Sequence, residues 1–333
     1  MKSRMAAIVL AATLAAYTVP AMAQNNVPSP TGSNPTAQSV TEQQVLEKLG
    51  KVKGRGAIPD PKEVVLEQPQ GREYQAFHER LLPWIGGILT LGMLIALTVF
   101  YLMRGPITLG ERPTGVRIKR FTVAERLTHW MTAASFIVLA ITGLNYVFGK
   151  RLLLPLLGPE AFSVWSQWAK FLHNAFAWPF LLGVLVMAVL WLRDNLPDRY
   201  DLEWLREFGG FFSRRHPPAR RFNAGQKLVF WSVAVGGGIL ILSGIVLLFP
   251  ISSLDIGSLQ TAQYVHAVFG MIMIAIIIAH IYIGTIGMEG ASDAMVSGEV
   301  DLAWAKAHHR LWVEEEGART PDGPQLGRSV PAE

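Results

Sequence analysis

Residues 264–288 read YVHAVFGMIMIAIIIAHIYIGTIGM, and this stretch decides the fold. It contains no Asp, Glu, Lys or Arg, and as a helix it is long enough to cross a hydrocarbon core of about 30 Å. Its two histidines, His266 and His280, are fourteen residues apart. Both side chains therefore leave one face of the helix, with a rise of about 21 Å between them. Ionisable residues inside a bilayer are costly and usually functional, so this spacing indicates a function.

Four further apolar runs precede this one, and none carries a charge in its central part. They are Trp84–Met103, Trp130–Phe148, Phe171–Leu192 and Leu228–Phe249. Half of the chain is hydrophobic and 17% is charged, whereas about a quarter of a soluble domain is charged. The sequence therefore predicts an all-α membrane protein rather than a soluble protein with buried helices. We expect a core of four transmembrane helices and one extra N-terminal transmembrane helix at 84–103.

The first 83 residues differ from the rest of the chain. Residues 1–23 are typical of a signal peptide, with Lys2 and Arg4 before an apolar stretch and Ala21-Met22-Ala23 at the cleavage position. An uncleaved anchor is the alternative. Residues 24–83 are polar at first and rich in proline, which predicts a polar arm on the periplasmic side.

Arginine and lysine indicate which loops face the cytoplasm. The 104–128 and 193–227 segments are rich in both, whereas the 149–170 segment holds three and the 250–263 segment holds none. Positively charged loops stay inside, so the first two segments are predicted to be cytoplasmic and the other two external. The mature N-terminus is then periplasmic and the C-terminus cytoplasmic. Membrane orientation accounts for the net charge of +5, so we expect no nucleic-acid partner.

This topology places four histidines at two depths: His129 with His280 near the cytoplasmic side, and His173 with His266 near the external side. The chain has no cysteine, which excludes cysteine-ligated iron–sulfur clusters and covalently attached haem. Two matched pairs favour two b-type haems over histidines that merely hydrogen-bond to neighbouring helices. Small residues on the spans would allow close approach of helices or porphyrins. These are Gly143, Gly183, Gly244 and Gly270.

The remaining histidines carry no such pattern. They are His78, His216, His308 and His309, and we expect surface or interfacial roles for them. A separate candidate is Asn223-Ala224-Gly225-Gln226-Lys227, just before the fourth span on the cytoplasmic side. Its amides could bind a quinone carbonyl, and Gly225 would allow close backbone approach. The same string could equally be a helix start with Asn223 as its cap.

Taken together, residues 117–315 resemble the gamma subunit of the membrane-bound respiratory formate dehydrogenase, its cytochrome b membrane anchor. The resemblance rests on six strings in this order. They are Arg126-Leu127-Thr128-His129-Trp130, Leu172-His173-Asn174, Asn223-Ala224-Gly225-Gln226-Lys227, Val265-His266-Ala267, Ala279-His280-Ile281 and Trp304-Ala305-Lys306-Ala307-His308-His309. The chain departs from that family in its N-terminal arm and extra span.

The resemblance implies a dihaem cytochrome b domain over 117–315 in a bacterial inner membrane, followed by a flexible cytoplasmic tail at 316–333. His129 and His280 would ligate the haem on the cytoplasmic side, and His173 and His266 the haem on the external side. Asn223 and Gly225, with His280 nearby, would line a quinone site. An external catalytic subunit containing molybdenum or tungsten and an iron–sulfur subunit would supply the electrons.

No nucleotide motif or further metal motif is visible, so we expect a non-catalytic electron-transfer subunit rather than a complete enzyme. Three alternatives to a formate dehydrogenase subunit remain. The chain could be the cytochrome b subunit of a nickel–iron hydrogenase or of another quinone-linked oxidoreductase. It could be a stand-alone transmembrane reductase. It could also be a transporter with histidines in its pathway, although no discontinuous helices or internal repeat favour that class.

Overall fold

The computed structural model describes residues 71–110, 112–212, 217–250 and 254–319, and this part of the chain is mainly helical. Its elements in chain order are α1 (Gly71–Arg104), β1 (Arg117–Lys119), α2 (Val123–Leu152), α3 (Leu154–Trp191), α4 (Arg199–Arg206), a 3₁₀ turn (Phe208–Gly210), α5 (Ala224–Leu248), α6 (Ile256–Gly287), α7 (Asp293–Val296), β2 (Glu299–Asp301), α8 (Leu302–His308) and α9 (Arg310–Arg319). Five of these described helices are long and apolar enough to cross a membrane: α1, α2, α3, α5 and α6. The predicted helical membrane fold with five spans is confirmed.

Several helices extend beyond the predicted apolar runs. Residues 71–83, assigned to the polar arm, belong to α1, and the residues before Gly71 lie outside the described ranges. The predicted external loop at 149–170 is mainly helical: α2 continues to Leu152, and α3 begins at Leu154 and is kinked at Gly158 (φ 76°, ψ 167°). Hydropathy marks only the part of a helix that lies in lipid, so polar helical ends escape it.

The first residues of the predicted flexible tail, 316–333, are helical in the structure. Residues 316–319 complete α9, and the rest of the tail lies outside the described part of the chain. Likewise α6 starts at Ile256, within the predicted external loop at 250–263. Asp255 begins this helix by accepting a hydrogen bond from the Ser258 amide, 2.7 Å away. Capping residues outside the apolar run therefore set this boundary.

Three of the spans contain a π-turn, which adds one residue to a helical turn. The turns are Phe77–Leu81 in α1, Ser232–Gly236 in α5 and Ile283–Gly287 in α6. Such turns shift the side chains that follow them around the helix. The stretch of α6 that carries His266 and His280 precedes its π-turn, so their predicted spacing along one regular helix holds.

Glycines allow close contacts between helices of the bundle. In the hairpin of α2 and α3, Gly183 lies against Thr132, and a Cβ on this glycine would be 2.1 Å from Thr132 Oγ1 and 3.3 Å from Thr132 Cα. On the other side, α1 packs on α6 through Gly86, which contacts Met271. The outer face of α1 remains apolar, with Trp84 72% and Leu102 78% exposed. An apolar outer face is the surface that lipid requires.

At one end of the bundle, the chain after α6 folds back onto the start of α2. Strands β1 and β2 pair antiparallel, with Ile118 opposite Val300. The Asp301 carboxylate accepts hydrogen bonds from the amides of Thr114, Gly115 and Ala303, and these bonds lower its pKa against the opposing effect of burial. The all-α prediction missed this small sheet, because three-residue strands carry too little sequence periodicity.

We expect Gly183→Ala to destabilise the bundle, because the new methyl group would force α2 and α3 apart. Overpacking of this kind costs about 1–3 kcal/mol, which outweighs a helix-propensity gain of up to about 1 kcal/mol. The apparent melting temperature in detergent, followed by circular dichroism at the helical minimum, should fall by several degrees. Gly238→Ala is the matched control, because no atom lies within 4 Å of its Cβ position. Equal melting temperatures for the two variants would contradict the close contact.

Candidate functional site

The structure brings the four histidines of the spans together in the two predicted pairs. The ring centres of His129 on α2 and His280 on α6 are 6.2 Å apart. Those of His173 on α3 and His266 on α6 are 6.1 Å apart. His129 and His280 are called the inner pair, and His173 and His266 the outer pair. Helix α6 contributes one histidine to each, separated by a rise of about 21 Å.

The separation within each pair suits one metal ion between two imidazole rings. Two metal–nitrogen bonds of about 2.0 Å place the ring centres about 6 Å apart. Among the described residues, no group of three or more His, Cys, Asp or Glu side chains could hold a bare metal ion. Two histidines alone are an incomplete ligand set, so the pairs fit a metal whose other ligands come from a cofactor.

In the outer pair, both Nδ1 atoms are held by hydroxyl groups. Thr142 Oγ1 is 2.8 Å from His173 Nδ1, and Ser243 Oγ is 3.0 Å from His266 Nδ1. Each hydroxyl donates its only proton to a backbone carbonyl one turn earlier, Val138 or Ile239, at 2.7 Å. The oxygen is then left to accept from Nδ1–H, so Nε2 keeps its lone pair. Nε2 is therefore the nitrogen available to bind a metal.

The inner pair has no such partners. His129 Nδ1 is buried without a hydrogen bond, and no described group hydrogen-bonds to the His280 ring. One turn before His129, the buried Glu125 carboxylate is fully used. It accepts from Trp191 Nε1 at 2.8 Å, from Arg221 Nη2 at 2.6 Å, and from the amide and hydroxyl of Thr122. These bonds fix the start of α2 rather than the histidine ring.

Two of the four glycines singled out from the sequence lie against the outer pair. A Cβ on Gly143 would be 3.7 Å from His173 Cε1, and one on Gly244 would be 3.2 Å from His266 Cε1. Gly183 instead allows the helix contact with Thr132, and nothing lies within 4 Å of the Cβ position of Gly270. Small residues therefore leave space beside the outer rings.

The Asn223–Lys227 string forms the start of α5. Asn223 Oδ1 accepts from the Gln226 amide at 2.9 Å, and Gln226 Oε1 accepts from the Asn223 amide at 3.1 Å, which is a reciprocal capping box. The group that approaches Gly225 closely is the indole of Trp204, which would be 2.6 Å from a Cβ there. The cap leaves Asn223 Nδ2 without a described partner, so one amide donor remains available.

Lys227, the last residue of this string, is buried and forms two ion pairs. Its Nζ lies 2.9 Å from Asp201 Oδ2 and 3.1 Å from Asp198 Oδ2. Asp198 is also the N-cap of α4. A buried cation without these carboxylates would be costly, so the pairs fix α4 against the start of α5.

The expectation that His309 lies at a surface is wrong. Its ring is fully buried, and Nδ1 hydrogen-bonds to the Arg220 carbonyl at 2.7 Å. Beside it lies Arg120, also buried, whose Nη2 donates to the Arg221 carbonyl at 2.7 Å. The guanidinium is packed among the rings of Phe121, Trp304 and Trp312. Trp304 and Trp312 flank His308 and His309 at helical spacing, which is the sequence signal that could have indicated their burial.

Burial and then the charge of Arg221 lower the pKa of Arg120 to about 9. Burial and then the charge of Arg120 lower the pKa of His309 well below its ordinary value. The buried atoms Arg120 Nε, Arg120 Nη1 and His309 Nε2 have no hydrogen-bond partner. His309 is therefore a neutral ring that stays unprotonated near pH 7.

His78 and His308 each contact an aromatic ring. His78 lies in the π-turn of α1 and packs edge-on against Tyr146, 5.0 Å between ring centres, and His308 is buried beside Trp304. A cavity of about 730 Å³ opens between β1, the 193–198 segment and α9. None of the four histidines of the spans lines it, so this space is distinct from the candidate cofactor site. His216 lies outside the described residues.

Comparison with known proteins gives a consistent set of relatives. Residues 120–298, from the end of β1 through α7, match the family model of prokaryotic cytochrome b561. The chain is 30% identical over 202 residues to the formate dehydrogenase cytochrome b556(fdo) subunit of Escherichia coli strain K12, covering 60% of this chain and 92% of that subunit. It is 28% identical over 204 residues to the cytochrome b556(Fdn) subunit of the nitrate-inducible formate dehydrogenase of that strain, covering 60% and 91%. It is 27% identical over 212 residues to the formate dehydrogenase cytochrome b556 subunit of Haemophilus influenzae, covering 62% and 86%.

We expect His309 to make the stability of the protein fall in mild acid. Its pKa is lowered in the folded state, so below about pH 6.5 the unfolded chain binds a proton that the folded chain does not. Folding stability is then lost as the pH falls, by at most about 1.4 kcal/mol per pH unit for this one proton. Melting temperatures between pH 7.5 and 5.5 should fall less in His309→Gln than in the parent. Parallel pH profiles would show that His309 does not titrate in this way.

Proposed function

The chain belongs to the prokaryotic cytochrome b561 family, and we propose that it is the cytochrome b subunit of a formate dehydrogenase. In this proposal it holds two b-type haems and passes electrons across the membrane to a quinone. The observation that carries the proposal is the arrangement of the four histidines in two pairs with ring centres 6.1 and 6.2 Å apart. The relatives named above are formate dehydrogenase subunits, which favours this assignment over a nickel–iron hydrogenase partner.

We assign the axial haem ligands by these pairs. His173 and His266 would hold the outer haem through Nε2, since their Nδ1 atoms are bound to Thr142 and Ser243. His129 and His280 would hold the inner haem. When bound, haem b supplies a one-electron redox centre whose potential is set by its ligands and their hydrogen bonds. The surrounding apolar spans exclude water from both sites.

The charge distribution supports an orientation with the inner pair near the cytoplasm. The basic segments that precede α2 and α5 lie at the same end of the bundle, where Arg120 and Arg221 bond to each other's backbone carbonyls. His129 lies close to this end, at the beginning of α2. Basic segments stay on the cytoplasmic side, so we place α8 and α9 there too. The membrane is then the bacterial inner membrane, with the outer pair near the periplasm.

Quinone reduction is assigned to the cytoplasmic end, beside the inner pair. Asn223 is at this end, its Nδ2 is not used by the helix cap, and a primary amide can donate to a quinone carbonyl. His280 has no described hydrogen-bond partner and could offer a second contact. Gly225 would contribute through its backbone, because Trp204 occupies the space beside its Cα. Each quinone takes up two electrons and two protons and leaves as quinol.

In this proposal the electrons come from other subunits, as the names of the related formate dehydrogenase subunits suggest. In the proposed complex, a catalytic subunit with molybdenum or tungsten oxidises formate on the periplasmic side. An iron–sulfur subunit passes the electrons to the outer haem. The ends of α2, α3 and α6 near the outer pair are the surface that such a partner would meet. The chain itself is a non-catalytic electron-transfer subunit of the enzyme complex.

We expect the purified protein to bind two b-type haems, and each histidine of a pair to be needed for one of them. His173→Ala and His266→Ala should each remove the same haem, and His129→Ala and His280→Ala should each remove the other. Haem per chain is counted from reduced-minus-oxidised spectra. His78→Ala is the control, because this histidine lies outside both pairs and should leave two haems. A well-folded parent without haem would rule out the electron-transfer function.

We expect Asn223→Asp to separate the two roles of this residue. Aspartate can still cap α5 but cannot donate a hydrogen bond to a quinone. The loss of one donor should raise the quinone concentration for half-maximal reoxidation of the reduced haems up to about tenfold. Asn223→Ala should raise it similarly and also lower the melting temperature, because the cap is worth about 1 kcal/mol.

Ferricyanide provides the matching control, since it accepts electrons without a quinone site. Its reaction with the reduced haems should be the same in the parent and in both Asn223 variants. If Asn223→Asp reacts with quinone as the parent does, Asn223 is a helix cap and the quinone binds elsewhere.

A further inference from the structure

The hydroxyl groups of Thr142 and Ser243 hydrogen-bond to the two histidines of the outer pair and to neither histidine of the inner pair. Each hydroxyl accepts from a histidine Nδ1 and donates to a carbonyl of its own helix, so the two bonds form a continuous chain. In such a chain each bond polarises the next and strengthens it. Neither hydroxyl takes part in any step assigned above.

We infer that Thr142 and Ser243 are tuning residues that lower the reduction potential of the outer haem relative to the inner one. The inference rests on the proposed function, because it requires a haem between His173 and His266. A histidine that donates from Nδ1 carries more electron density on Nε2 and is a more basic ligand. A more basic ligand stabilises ferric over ferrous iron, because the ferric ion carries the larger positive charge. Two such ligands on one iron act in the same direction.

The inner pair lacks such hydroxyl partners, so the two haems are expected to differ in reduction potential. No described hydroxyl lies in hydrogen-bond contact with His129 or His280, and His129 Nδ1 is buried without a partner. The inner ligands are therefore the weaker electron donors. Electrons that enter at the outer haem would move toward the higher potential of the inner haem. The direction of transfer toward the quinone side is then built into the hydrogen bonds of α2 and α5.

The helices hold these hydroxyls rigidly. Thr142 lies in the second half of α2 and Ser243 in the last third of α5, and both side chains are buried. Gly143 and Gly244 follow them directly, and their missing side chains let the histidine rings approach to the distances given above. The Thr-Gly and Ser-Gly pairs thus combine a hydroxyl that binds the ring with a glycine that makes room for it.

The test is a spectroelectrochemical titration of both haems in the full-length protein, with each haem identified by its histidine variants. We expect Thr142→Val and Ser243→Ala each to raise the potential of the outer haem and to leave the inner haem unchanged. A tenfold change in the ferric–ferrous equilibrium corresponds to 59 mV for one electron, and we expect up to about that shift from each variant. The double variant should show roughly the sum.

Two kinds of control variant separate tuning from packing. Thr132→Val removes a buried hydroxyl from the same helix that also donates to a carbonyl one turn earlier, but that has no histidine partner. It should leave both potentials at the parent values. Thr142→Ser and Ser243→Thr keep the hydroxyl and should also keep the parent potential. The potentials of these two variants can still be compared with the parent if Thr142→Val or Ser243→Ala loses haem.

The outcomes are distinguishable from failure of the proposed function. A parent without haem would show in the optical spectrum before any titration, and would remove both proposals. The tuning role alone would be overturned if every variant bound two haems and the potential of the outer haem changed no more than it does in Thr132→Val. A shift of equal size in both haems would also overturn it, because the hydroxyls contact only one pair.

Discussion

A histidine ring inside a bilayer has two different nitrogens that need partners, and the outer pair of histidines meets that requirement for both of its rings. One nitrogen needs an acceptor for its proton, and the other needs a group that uses its lone pair. At the outer pair, Thr142 and Ser243 supply the acceptors, and the facing rings leave space for a metal between them. The helices must then be packed closely enough to keep these groups in register, which Gly183 and Gly244 allow.

Buried polar and charged groups join the segments at the inner end of the bundle. Arg120 is buried among aromatic rings and bonds to the backbone of the segment before α5, and Arg221 joins Glu125 on α2. His309, which lies between α8 and α9, hydrogen-bonds to the same segment. The chain after the last span is thus bound to the two basic loops that precede α2 and α5. This arrangement fixes the start of α2, where His129 lies, and the start of α5, where Asn223 lies.

Sequence reasoning worked where the bilayer imposes a strong pattern. The five spans and the pairing of His129 with His280 and His173 with His266 followed from apolar length and from charge in the loops, because both depend on depth in the membrane alone. The contact of His309 with Arg220 did not follow, because Arg220 is 89 residues earlier in the chain. The spacing of Trp304 and Trp312 could have indicated burial of this histidine, but not its partner. The π-turns and the helical ends outside the lipid were missed for a related reason: local backbone geometry and capping decide them, and apolar length does not.

Helix α6 carries one histidine of each pair on an uninterrupted α-helical segment, since its π-turn begins only after His280. The distance between the two proposed redox centres is therefore set by the number of residues between the histidines, with a rise of about 1.5 Å for each of the fourteen residues. Adding or removing a single residue in that interval would swing one ring by about 100° away from its partner helix. The rate of electron tunnelling falls steeply with distance. Because one continuous helix fixes the distance between the two sites, bending elsewhere in the bundle would change the rate of electron transfer little. An insertion or deletion between the two histidines would therefore disrupt one pair, whereas a change of length in a loop would leave both pairs in place.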